Sequence, residues 1–170
     1  MMQRIITLAI AAFFGLCLLA VAAFGLYWVR GRKEPVQPIA FPHTVHAGQL
    51  GLACDFCHES VNEGRHAGVP AVSKCMSCHE TVAADRPEIV KLKQYREGEE
   101  EIHWQQIHAL PDFIYFSHKR HVKAGLDCAA CHGQVEAMAE IQQVRSLKMG
   151  WCVTCHRARG ASLDCATCHK

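Results

Sequence analysis

The chain has 170 residues, half of them apolar, with 18 Lys and Arg against 16 Asp and Glu and a formal net charge of +2. That length allows one compact domain, or one domain with an anchor, and so small and evenly spread a charge argues against nucleic acid as a partner. The unusual counts are 11 Cys and 12 His, far above ordinary usage in a chain this short.

Residues 5–29 form a run of 25 apolar or small residues, broken only by Thr7 and free of charge. At about 1.5 Å per residue a helix of that length spans the hydrocarbon core of a bilayer with some to spare for tilt. Tyr27 and Trp28 stand at its end, where aromatic rings favour the interface, and Arg30, Arg32 and Lys33 follow in the headgroup region. The pattern predicts an anchor at 1–33 containing one transmembrane helix in contact with membrane lipid. A cleaved signal peptide is the alternative, because Ala20-Val21-Ala22 resembles a cleavage site. The apolar part of a signal is usually only roughly 7–15 residues, however, and this run continues past that site to Val29. Cys17 lies within the span and reads as an inert apolar side chain. The basic residues after the helix outnumber Arg4 and the amino terminus before it, which by charge alone points to a cytoplasmic C-terminal portion.

Residues 34–40, with Pro35 and Pro38, read as a stiff, extended linker. From 41 onward the chain carries five copies of one pattern, C-x-x-C-H: Cys54, Cys57, His58; Cys75, Cys78, His79; Cys128, Cys131, His132; Cys152, Cys155, His156; and Cys165, Cys168, His169. This is the signature of c-type haem attachment. Two thiols add across the two vinyl groups of a porphyrin, and the histidine beside the second thioether reaches the iron as proximal ligand. Five motifs therefore predict five covalently bound haem c. Paired C-x-x-C units can also close zinc sites, but zinc needs no histidine directly after the second cysteine, and all five copies have one. Structural disulfides would not explain those histidines either.

An internal repeat frames the motifs. Phe41-Pro42-His43-Thr44-Val45-His46 precedes Cys54, and Phe116-Ser117-His118-Lys119-Arg120-His121 precedes Cys128. The repeat halves run over about 41–85 and 113–170. Between them, Pro87 opens a predicted helix with Ile89, Leu92 and Arg96 near one face. Glu97 to Glu101 follow as an acidic loop, and the whole charged stretch 86–106 reads as a solvated connector between two haem clusters whose acidic patch could also help dock a basic partner. With so much porphyrin to pack around, the expected fold is mainly α-helical and irregular.

The F-x-H-x-x-H segment ahead of C-x-x-C-H resembles the class III multihaem cytochromes, the cytochrome c3 and c7 group. That resemblance implies a domain at 41–170 in which His43 caps the haem of His58, His46 that of His79, His118 that of His132, and His121 that of His156. In the c7 pattern the remaining distal ligand comes from just before the preceding motif, where Met149 stands; packing of Met149 on a porphyrin edge is the alternative. His66 occupies the place of a further distal ligand, and His108 is a comparable candidate for a haem of the other half. His103, near Glu99-Glu100-Glu101, reads as solvated. Proteins of this kind receive their haems on the outer side, which outweighs the charge count and places 35–170 in the periplasm of a bacterial inner membrane.

Haems with two protein ligands leave no open position for substrate, so the expected role is electron transfer and not catalysis. A methionine ligand raises a haem potential, which would make the haem of His169 an electron exit. The anchor, the five motifs, and the phrases around His108 to His121 and Met149 to Arg157 resemble the pentahaem subunit of bacterial alternative complex III. This implies relay of electrons from quinol to a periplasmic acceptor, beside iron–sulfur, integral-membrane and monohaem cytochrome subunits. Two other readings stay open: a tetrahaem-type membrane quinol dehydrogenase feeding a periplasmic reductase, and a cleaved, soluble c7-like shuttle. Glu59-Ser60-Val61 after His58 lacks the methionine expected of the former.

Overall fold

The computed structural model describes residues 1–30 and 35–170, the side chains of Val29 and Arg30 excepted. Arg32, Lys33 and Glu34 lie outside the described residues, and with them part of the expected basic cluster and the first residue of the linker. The chain divides into two compact units, Met1–Pro35 and Val36–Lys170.

The first unit is one helix, α1, over Met2–Arg30. Its segment Met2–Trp28 has a mean hydropathy of 2.7 and none of it is buried. A helix that is apolar on every side has to find its apolar surroundings elsewhere, in a large core or in lipid. Among the described residues nothing in this unit supplies a core, and length and composition are those of a single membrane span.

The second unit is built from short helices: α2 (Cys54–Cys57), α3 (Val72–His79), α4 (Pro87–Glu97), α5 (His118–Lys123), α6 (Ala129–His132), α7 (Met149–Ala158) and α8 (Cys165–Cys168). A π-helical turn covers Thr44–Gln49, and 3-10 turns cover Glu59–Asn62 and Val135–Ala137. Among the described residues the extended backbone forms no sheet; Ile114 and His169 make an isolated antiparallel bridge. The mainly α, irregular class expected from the sequence is the class observed.

The longest helix of this unit, α4, has Pro87 in its first turn, where the missing N–H costs nothing, with Glu88 beside it and Arg96 in the last turn. It buries Leu92 against Ile39 and Met76, and these three are the buried hydrophobic side chains among the described residues. Ile89, Tyr95, Val72, Ile102 and Trp104 pack around them. The inward face of α4 is thus Ile89, Leu92 and Tyr95, three residues apart; Arg96, expected on that face, is exposed. The stretch expected to be a solvated connector thus supplies much of the apolar core.

The halves engage reciprocally. The π-helical turn Thr44–Gln49 packs on the 3-10 turn Val135–Ala137, and α5 packs on the 3-10 turn Glu59–Asn62. Thr44 N–H donates to the Met138 carbonyl at 3.3 Å, while His118 and Lys119 N–H donate to the Arg65 and Gly64 carbonyls at 3.2 and 3.1 Å. Gly48 makes the first contact possible, because a Cβ there would lie 2.6 Å from the Glu136 carbonyl oxygen.

Candidate haem-attachment sites

Each C-x-x-C-H motif forms a helical turn. In α2, α6 and α8 the histidine N–H closes that turn on the carbonyl of the first cysteine, at 2.9 Å in His58, His132 and His169. Cysteines three residues apart then share one face, which is what two vinyl groups of one ring require. Asp127 and Asp164 secure two of the turns: their carboxylates accept from Ala129 N–H at 2.7 Å and Ala166 N–H at 3.1 Å. No disulfide joins any of the cysteines among the described residues.

The histidines show a common polarity. Nδ1 faces a backbone carbonyl in His58 (Gly68, 2.6 Å), His79 (Val82, 2.9 Å) and His156 (Ser162, 2.7 Å). The same holds for His46 (Pro42, 3.1 Å), His118 (Arg65, 2.7 Å) and His121 (Ser117, 2.8 Å). A carbonyl only accepts, so Nδ1 carries the proton and Nε2 keeps its lone pair outward, the tautomer a metal ligand needs. Phe41 stacks on His46 with ring centres 4.2 Å apart and meets His43 edge-on at 4.9 Å; Phe116 does the same to His121 at 4.4 Å and His118 at 4.8 Å.

Three histidine pairs lie at one separation. Ring centres are 5.9 Å apart in His46–His79, 6.3 Å in His118–His132 and 6.1 Å in His121–His156. A metal held about 2 Å from an imidazole nitrogen on each side puts the two ring centres about 6 Å apart. These gaps leave room for an iron between each pair. His43 is half-buried near His58; burial, then the neighbouring His58 and His46, holds its pKa down at about 4. Burial, followed by His108, His118 and His58, does the same to His132, also to about 4. Both rings are therefore neutral at physiological pH, as ligation demands.

The fifth motif is held differently. Phe113 stacks on His169 with centres 5.8 Å apart, and Tyr115 N–H donates to the Cys168 carbonyl at 2.7 Å. Met149 opens α7, 64 % exposed, on the same face as Cys152 three residues on. The His108 ring lies 4.5 Å from that of His132, edge to face, and His66 and His103 are exposed. Reading the sequence assigned no part to Phe41, Phe116 or Phe113. The first two had a signal in the repeat itself, a phenylalanine two residues before the first histidine in both halves. The Gly68 and Arg65 carbonyls had none.

The thiols of different motifs lie close together. Burial pushes the Cys57, Cys75, Cys128, Cys131 and Cys152 thiols up, and neighbouring sulfurs add to it: Cys78 beside Cys57, Cys57 beside Cys75, Cys54 beside Cys128, Cys155 and Cys152 beside Cys131, and Cys168 beside Cys152. Despite this crowding, no three His, Cys, Asp or Glu side chains among the described residues converge as a zinc site would need. The donor set suits a porphyrin: thiols in pairs, and imidazoles in opposed couples.

Comparison with known proteins agrees. Residues 29–106 match the class III cytochrome C family, and residues 114–170 match cytochrome c7 and related cytochromes c. The chain is also 29% identical over 165 residues to the multihaem cytochrome c subunit of a menaquinone reductase from Nitratidesulfovibrio vulgaris, an alignment covering 81% of this chain and 79% of that one. Cytochromes of this kind carry electrons and do not themselves transform a substrate. With one match over 29–106 and another over 114–170, most of the chain is similar to the class III and c7-like multihaem cytochromes c.

Proposed function

We propose that this chain is the pentahaem electron-relay subunit of a quinone-linked respiratory complex, anchored by α1 with residues 35–170 in the periplasm. The observation that carries the reading is the trio of histidine pairs at 5.9, 6.3 and 6.1 Å. Haem c supplies one-electron chemistry at its iron when attached, and two axial ligands confine it to that chemistry. The chain's own residues do the rest. Cys54, Cys57, Cys75, Cys78, Cys128, Cys131, Cys152, Cys155, Cys165 and Cys168 form the thioethers, and His58, His79, His132, His156 and His169 are the proximal ligands. His43, His46, His118 and His121 are the opposing ligands. Met149, exposed at the start of α7, is the proposed ligand of the fifth site.

The phrases around His108 to His121 and Met149 to Arg157 support a complex of the alternative complex III type, in which quinol is oxidised and iron–sulfur, integral-membrane and monohaem cytochrome subunits stand alongside. The relative named as part of a menaquinone reductase favours a second reading, with electrons flowing toward the quinone. Isolation of the native membrane complex tests both. Five haems per chain by mass, with co-purifying membrane and iron–sulfur subunits and quinol-dependent reduction of the haems, supports the first. Haems reduced only by a periplasmic donor, and reoxidised by menaquinone, supports the second. A chain that purifies alone and soluble, starting near Ala23, removes both.

A further inference from the structure

We propose that the five attachment motifs form one row whose order in space differs from their order in the chain: 75–79, 54–58, 128–132, 152–156, 165–169, with the two halves meeting head to head through their first motifs. This rests on the five-haem reading above and adds the arrangement that reading leaves open.

The contacts are consecutive. In the first half Lys74, next to Cys75, holds its Nζ 4.4 Å from the centre of the Phe56 ring inside the first motif, and 2.6 Å from the Glu59 carboxylate just after it. Motifs one and two are therefore neighbours, as expected where His43 and His46, one turn apart, face His58 and His79. In the second half His118 and His121 stand one turn apart on α5 and face His132 and His156, which makes motifs three and four neighbours. Motif five adjoins motif four: His156 donates Nδ1–H to the Ser162 carbonyl, and the Ser162 hydroxyl bonds the Thr167 hydroxyl at 2.9 Å, between Cys165 and Cys168.

The junction decides the order. Lys119 N–H donates to the Gly64 carbonyl at 3.1 Å and Thr44 N–H to the Met138 carbonyl at 3.3 Å. These are equivalent positions of the repeat, since Lys119 and Thr44 each follow its first histidine, and Gly64 and Met138 each lie six residues after a proximal histidine. Each half also seats its paired-histidine turn on the 3-10 turn that follows the other half's first motif. Like meeting like, with both exchanges reciprocal, is the mark of a two-fold relation, here within one chain. The relation sets the two first motifs together at the middle. Second motifs then fall outward on both sides, so motif two becomes an end of the row although it lies second in sequence. Motif five extends the other end.

The same relation shows in the hydrogen bond of one distal histidine. The carbonyl that accepts from His118 Nδ1 belongs to Arg65, seven residues after His58 in the opposite half. Seven residues after His132 stands Ala139, the position equivalent to Arg65, while His43 Nδ1 is buried with no hydrogen-bond partner. The first half thus orients the second half's first distal histidine.

The test is an iron map, by anomalous diffraction or high-resolution cryo-EM, of the haem-loaded full chain in its native complex, with intact mass for the haem count. Five haems with the iron of His58 flanked by those of His79 and His132 is the expected result. Five haems with the iron of His79 closer to that of His132 than the iron of His58 is would overturn the order while leaving the five-haem reading standing. A mass showing fewer than five haems would instead remove the reading on which the order rests.

Discussion

At the residue scale the decisive feature is the orientation of imidazoles, and the sequence held only half of it. C-x-x-C-H marks His58, His79, His132, His156 and His169 by covalent logic, since a histidine next to a thioether has nowhere else to reach. The acceptors that fix each ring are main-chain carbonyls of Gly68, Val82, Ser162, Pro42, Ser117 and Arg65. A carbonyl carries no residue identity, so no motif could announce it. On the ligand set proposed above, His121→Met would replace a nitrogen ligand opposite His156 by a thioether and is expected to raise one of the midpoint potentials by on the order of 0.1 V, within the ~0.8 V range axial ligands command. His103→Met, on an exposed residue, leaves them all in place. A spectroelectrochemical titration of both variants reads this directly; an unmoved set in His121→Met removes that histidine from the ligand list.

At the scale of elements, backbone approach and local charge matter more than pattern. Gly48 looks like an ordinary loop glycine in the sequence, yet it lets the π-helical turn touch Val135–Ala137. In Gly48→Ala the added methyl meets backbone, which cannot swing aside, and overpacking of this kind costs about 1–3 kcal/mol. Thermal melting of the holoprotein is expected to fall by several degrees, with haem content unchanged. Gly150, whose Cβ position is open, provides the control, since Gly150→Ala is expected to hold or raise the melting temperature. The periodicity of α4 located Ile89 and Leu92 correctly; it misplaced Arg96 because Tyr95, on the opposite side of Leu92, is the residue turned to the core.

Glu88 ties that helix to the start of the domain. Its carboxylate accepts from Lys91 at 2.7 Å and from Ala40 N–H at 2.8 Å, next to the buried Ile39. These two bonds, the Lys91 one foremost, hold its pKa below the ordinary carboxylate value. A depressed folded-state pKa means a contribution fully present above the ordinary value and lost as pH falls through the folded one. Glu88→Gln is therefore expected to cost about 0.5 kcal/mol at neutral pH, the scale of an exposed pair. The difference from wild type should vanish as the pH drops below the carboxylate range, which denaturant midpoints at pH 7 and pH 3 would reveal.

For the whole molecule the question is what replaces a core. In the unit Val36–Lys170 the buried hydrophobic side chains among the described residues are Ile39, Met76 and Leu92, all ahead of the second repeat half. A domain of this length ordinarily buries well over half the surface its unfolded chain exposes, and three side chains fall far short of offsetting chain entropy of ~1–2 kcal/mol per residue. The second half has no buried hydrophobic residue among those described, so its cohesion has to come from covalent porphyrin bridges and iron ligation. High Cys and His content with few long apolar periods made that dependence legible, although the seating of one half on the other was not, because reciprocal contacts leave no trace in either repeat alone.

It follows that haem attachment and folding are one event in this chain, as metal binding and folding are in small metal-dependent domains. Produced where haem is not attached, the chain is expected to show little cooperative unfolding and to be cut rapidly by protease across 36–170. The α1 helix, whose stability depends on lipid rather than on porphyrin, would still partition into membranes and survive as a protected fragment. Limited proteolysis with far-UV dichroism of haem-loaded and haem-free chains, both in detergent, distinguishes the cases. The loaded chain should melt cooperatively and resist cleavage; the haem-free chain should keep helical signal only in proportion to α1. A haem-free chain that melted cooperatively, with residues 113–170 protected, would show that side-chain packing alone suffices and that the porphyrins are cargo in a preformed scaffold.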